Sequence, residues 1–174
     1  IRPETKLVWC ESPGSTTLEV QDLPAITGIA HKAGALVGCD NTWATSLGCK
    51  PIALGVDIVT EALTKYASGH SDLLMGAMSF ASDEVALDVR AYMGRIGVGV
   101  SPDDAALVLR GMETMALRFN HAAGTRSLVA PMSIGHSRSV GQVAGEDLFL
   151  RFSVGLEAPE ELDADIEAFL SVLA

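Results

Sequence analysis

Apolar runs of strand length alternate along the first half of the chain with segments of helical period. Lys6-Leu7-Val8-Trp9-Cys10 reads as a buried strand, stopped by the loop composition of Glu11-Ser12-Pro13-Gly14-Ser15. Asp22 predicts a helix cap with Pro24 in the first turn, a helix to about Ala33, and Gly34 closing it. Ala35 to Cys39 predicts a second strand ending in Asp40-Asn41-Thr42-Trp43, and Val56 to Val59 a third leading to Thr64-Lys65-Tyr66. Leu73 to Phe80 predicts a fourth. Strands joined in this way by short connections predict an α/β protein with a mostly parallel, covered sheet. Ser82-Asp83-Glu84 and Ser101-Pro102-Asp103-Asp104 each open a helix, with acids against the positive end of the helix dipole. The second of these is predicted to be long, about Pro102 to Ala122, with Gly111 a local weakness inside it. From Leu148 to Val154 the pattern alternates: Leu148, Leu150, Phe152 and Val154 share one face, and Phe149, Arg151 and Ser153 the other. Leu162, Ile166, Phe169, Leu170 and Leu173 then fall at helical spacing.

Composition narrows the class. The 174 residues, 48% apolar, suit one domain or two small ones and exclude a disordered chain. Twelve basic against 22 acidic side chains give a net charge of −10 with no basic run. That argues against nucleic acid as a partner, and against an anionic membrane surface. The longest apolar runs are broken by Gly, Asp or Lys, so none predicts a membrane span. Cys10, Cys39 and Cys49 read as reduced thiols of a cytosolic protein, with Cys39 a packed thiol. The four histidines are scattered and predict no metal site; His70 is expected to hydrogen-bond near the lysine loop. Met75, Met78, Met112 and Met115 read as core filler, and Glu157 to Glu167 as a solvated helix face. No Gly-x-Gly-x-x-Gly opens a helix after a strand, which speaks against a dinucleotide site.

Candidate chemistry begins at Lys65, just past an apolar strand. Most such lysines are surface residues, but a desolvated one becomes a nucleophile toward carbonyl groups, and pyridoxal phosphate is one such partner. Asp40 ends a strand, where ligands bind in open α/β sheets, and could hold a proton on a pyridine nitrogen. A pair about 4 Å apart at an effective dielectric near 20 gains about 4 kcal/mol, roughly three pK units. Taken alone, Asp40 reads equally well as a turn residue. Thr64 could hold a phosphate, or be an ordinary strand-end threonine. Arg151 points away from the apolar face of its strand and could grip a carboxylate bidentately, or simply face solvent.

These residues carry a resemblance. Glu11-Ser12-Pro13-Gly14-Ser15, Asp40-Asn41-Thr42-Trp43, Thr64-Lys65-Tyr66 with Gly69-His70-Ser71-Asp72, and Leu150-Arg151-Phe152-Ser153-Val154-Gly155-Leu156-Glu157 together resemble the Cys/Met-metabolism family of pyridoxal-phosphate (PLP) enzymes. Within it, Trp43 and Ala62 are most similar to the bacterial cystathionine β-lyase branch, as is Gly124-Thr125-Arg126-Ser127-Leu128. The resemblance implies an aminotransferase-like α/β fold, with residues 1–123 in the large cofactor domain and its exit helix and 124–174 in the smaller C-terminal domain. It implies Lys65 as the covalent PLP anchor and proton shuttle, Asp40 on the ring nitrogen, Thr64 on the phosphate and Arg151 on the carboxylate of an amino-acid substrate. It implies α,β-elimination of L-cystathionine and a homotetramer of dimers that share active sites. A γ-acting relative uses the same Lys65 and Asp40, and a non-catalytic remnant acting as a binding module is the alternative of another class. Family members are more than twice as long, and the chain begins at Ile1, so the residues are expected to be the ordered parts of a longer chain. A break is expected between Asn120 and Arg126, where consecutive Cα atoms would exceed the roughly 3.8 Å of a trans peptide.

Overall fold

A computed structural model describes residues 1–15, 19–120, 128–133, 148–153, 163–164, 166–168 and 170–171. The residues form two compact units, Ile1–Ala116 and Leu117–Ala174.

In the first unit, β1 (Leu7–Glu11), β2 (Leu36–Asp40), β3 (Ile58–Ala62) and β4 (Gly76–Phe80) form one sheet in that order. The first three strands are parallel and β4 is antiparallel to β3. The sheet is therefore mixed and mostly parallel. Glu11, Asp40 and Ala62 mark its carboxyl edge, the side on which α/β proteins bind ligands.

Between β1 and β2 runs α1 (Leu23–Lys32). Asp22 caps it by accepting from the Ala25 N–H at 3.0 Å, and Gly34 turns the chain at φ 72°. Leu23 and Ala30 of α1 pack on Cys10, Val37, Cys39, Val56 and Val59, which form the main core on one sheet face. Asp57 ties this layer together. Its Oδ2 accepts from the Val37 N–H at 2.7 Å and lies 2.8 Å from His31 Nε2. After β2 come a single turn, α2 (Thr45–Gly48), and a 3-10 turn at Pro51–Leu54.

The third strand begins and ends later than its apolar run suggests, because β4 pairs along Ile58–Ala62 and draws Thr60 and Glu61 into the sheet. Beyond β4 lie α3 (Asp83–Arg95), α4 (Pro102–Met112) and α5 (Met115–Asn120). Ser101 caps α4 through Asp103 N–H, as its position predicts. The single long helix expected from Pro102 is instead two. At Thr114 both the N–H and the hydroxyl donate to the Gly111 carbonyl, a tight turn that replaces the i to i−4 ladder. Of the methionines expected in the core, Met115 is buried and Met75 half-buried. Met78 and Met112 are exposed.

In the second unit, β5 (Leu128–Ser133) and β6 (Leu148–Ser153) form an antiparallel pair, with Ala130 opposite Arg151. Helical backbone follows at 163–164, 166–168 and 170–171; Asp163 and Glu167 are exposed and Ile166 is half-buried. The expected break between Asn120 and Arg126, most of the acidic run, and Leu162, Phe169 and Leu173 lie outside the described residues.

Candidate active site

Asp40 closes β2 at the carboxyl edge and is half-buried. Its Oδ1 accepts from the Thr42 N–H at 2.8 Å, the i to i+2 turn that an aspartate favours. Thr42 Oγ1 in turn accepts from the Ala62 N–H at 2.8 Å, and the Asn41 N–H donates to the Thr60 carbonyl. The carboxylate is thus fastened to the end of β3, three residues before Lys65.

A cavity of about 600 Å³ opens beside it, lined by Asp40, Glu61 and Thr64, by Thr60 and Ala62 of β3, and by methionines that include Met93 of α3. Two carboxylates line this space and no basic side chain does. Burial and the negative charge of Asp40 both push the Glu61 carboxyl above its ordinary value.

Lys65 stands on the connection from β3 to β4 and is exposed. It is not among the residues lining the cavity, although its neighbour Thr64 is. The desolvation that would activate its amine is not supplied by the described residues around it. Its main chain, by contrast, is firmly held. The Lys65 N–H donates to the Ala62 carbonyl at 3.0 Å, and its own carbonyl accepts from the Gly69 N–H at 2.8 Å. Ser68 is fully buried; its N–H donates to the Leu63 carbonyl and its hydroxyl to that of Thr64. His70 Nδ1 meets the Ser68 carbonyl, the hydrogen-bonding role expected of it.

The Thr64 hydroxyl donates to the Met75 carbonyl at 3.2 Å and accepts from the Met75 N–H at 3.0 Å. A further acceptor such as a phosphate oxygen would compete with Met75 for its one proton. Cys39, next to Asp40, is fully buried, and burial pushes its thiol up to about 11, so it is packing and not a nucleophile. Among the described residues no group of three or more metal-ligating side chains occurs. Arg151 lies in the second unit, on β6.

The first unit therefore brings Asp40 and Thr64 to one cavity and carries Lys65 on the same connection. The donor set fits the ring end of pyridoxal phosphate: an acidic, partly apolar pocket suits a protonated pyridine nitrogen, with Thr64 in its lining and Lys65 next in the chain. Sequence reasoning missed Glu61, Thr42 and the cavity methionines. The Asp-x-Thr spacing could have revealed Thr42; nothing local marks Glu61.

Known proteins agree with this architecture. The profile of the family described as Cys/Met metabolism PLP-dependent enzyme matches residues 1–132. A Rhizobium johnstonii protein provisionally named a cystathionine β-lyase is 50% identical over 67% of this chain and 29% of its own length. The chloroplastic cystathionine β-lyase of Arabidopsis thaliana is 37% identical over 79% of this chain and 30% of its own. A Bacillus subtilis cystathionine γ-lyase is 35% identical over 94% and 47% respectively. A crystal structure of a cystathionine γ-lyase from Micromonospora echinospora superposes with a TM-score of 0.74 at 25% identity, covering 95% of this chain and 64% of that one. The chain thus spans between about a third and a half of the curated relatives it matches.

Proposed function

This chain belongs to the Cys/Met metabolism PLP-dependent enzyme family, and from that premise we propose that it serves a carbon–sulfur lyase acting on L-cystathionine by α,β-elimination. The observation that carries the reading is the shared cavity of Asp40 and Thr64 at the carboxyl edge, with Lys65 next in the chain. Pyridoxal phosphate, when bound, supplies the electron sink for chemistry at the substrate's Cα. Asp40 holds a proton on its ring nitrogen, and the turn to Thr42 keeps the carboxylate aimed. Lys65 would anchor the cofactor through Nζ and, once freed by the substrate, take the proton from Cα and pass it to the departing sulfur. Thr64 offers its hydroxyl to the phosphate, and Arg151 grips the substrate carboxylate. The Cβ–S bond breaks, homocysteine leaves as the thiol, and water converts the remainder to pyruvate and ammonia.

In this reading residues 1–123 belong to the large domain and 124–174 to the small one, in a cytoplasmic homotetramer. Trp43 after Asp40-Asn41-Thr42 favours the β-acting branch on resemblance. The γ-acting reading draws on the B. subtilis and M. echinospora likenesses and uses the same Lys65 and Asp40. Borohydride reduction with PLP followed by peptide mapping tests the anchor, and the product of cystathionine cleavage tests the reaction. A pyridoxyl adduct on Lys65 with pyruvate formed supports β-cleavage. An adduct with 2-oxobutyrate instead supports γ-cleavage. No adduct leaves the non-catalytic binding module.

A further inference from the structure

The connection that carries Lys65 is braced from one side by α4. Val108 of α4 and Met115 of α5 pack with Ala67, and Leu63, Tyr66, Leu73 and Met75 surround them in a core of their own. At the centre of this contact is Gly111, itself buried. A Cβ placed on it would strike the Ser68 carbonyl oxygen and lie 2.5 Å from the Ala67 carbonyl oxygen. Both obstacles are backbone, so neither can swing aside as a side chain would. The same helix reaches the far end of the connection, where the Arg110 guanidinium pairs with the Asp72 carboxylate. The inner end is closed by the turns that fix Ala62, Lys65 and Gly69 to one another.

We propose that Gly111 and Arg110 are positioning residues for Lys65. The bare backbone of Gly111 admits α4 against the Ala67–Ser68 peptide, and Arg110 ties Asp72 to the same helix, so the turn bearing the amine has one place to stand. The inference rests on the reading of Lys65 as the cofactor anchor. A glycine costs local helix stability, but here any side chain would push the Lys65 turn off its seat. A displacement of about 1 Å at a reacting group can cost on the order of 100-fold in rate.

The test uses the full protein and the variants Gly111→Ala, Arg110→Gln, Arg110→Lys and Asp72→Asn. Amide hydrogen exchange at Ser68 and Gly69 reads the turn directly, without cofactor. The rate of borohydride-trapped adduct formation on Lys65 and the pH profile of turnover read its consequence. Gly111→Ala is expected to speed exchange at these two amides at least tenfold more than in α1, to slow adduct formation about 10- to 100-fold, and to lower kcat with KM little changed. Arg110→Gln and Asp72→Asn should give smaller changes in the same direction, and Arg110→Lys should recover part of them. These softer variants keep the test open should Gly111→Ala fail to fold. Unchanged exchange at Ser68 and Gly69 in the folded variants overturns the proposal. Faster exchange in a protein whose wild type forms no adduct on Lys65 upholds the brace and removes instead the reading of Lys65 as anchor.

Discussion

Asp40 has one oxygen committed to the Thr42 N–H, and nothing else among the described residues hydrogen-bonds its carboxylate. Asp40→Asn keeps the shape and that contact but removes the charge. If the paired charge contributes about 4 kcal/mol, turnover should fall by roughly three decades while PLP still reaches Lys65; steady-state kinetics beside adduct mapping measures both. Glu61 behaves differently. Burial and Asp40 raise its carboxyl above 4.5, so the folded protein holds this proton more tightly than the unfolded chain. The stability so gained is complete below pH 4.5 and is lost as pH rises through the raised value. Glu61→Gln escapes that loss: its Tm should exceed that of the wild type at neutral pH and converge with it below pH 4.5. For the thiols, Cys39 at about 11 and the buried, likewise raised Cys10 should resist alkylation at pH 8, while half-buried Cys49 reacts first, as mass spectrometry of labelled peptides would show.

Among the elements, the α1–β2–β3 layer depends on one carboxylate. Asp57 receives the N–H of Val37, which is wholly buried, and meets His31 of α1. Asp57→Ala strands that N–H, and should cost about 1–3 kcal/mol, read as a shift in urea midpoint with unchanged slope. Most elements could be read from the chain because their signals are local. Asp22 and Ser101 cap helices where their side chains predict, and Gly34 turns at positive φ where a helix must stop. The direction of β4 could not be read, since an apolar run carries no polarity of its own. The split between α4 and α5 was hidden because Thr114 looks helical until its hydroxyl finds the Gly111 carbonyl.

At the scale of the whole molecule, the two units place Asp40, Thr64 and Lys65 in one and Arg151 in the other. The family, and its dependence on PLP, hold for the chain; the β-elimination proposed for it stands or falls on pyruvate as the product. What the sequence alone determined is whatever depends on neighbours within a few residues: strand period, helix caps, and Asp40 at a strand end with Thr64 and Lys65 after the next strand. Hydrophobic period and capping chemistry act over those distances, so they are legible without a fold. What only the tertiary structure decided is what separate segments do to each other. It brought Glu61 beside Asp40, decided between the surface and desolvated readings of Lys65 by leaving it exposed among the described residues, and turned Gly111 from a weak point in a helix into the place where α4 meets the Lys65 turn. Those outcomes follow from backbone approach and shared burial between residues up to some 45 positions apart, which no local pattern encodes.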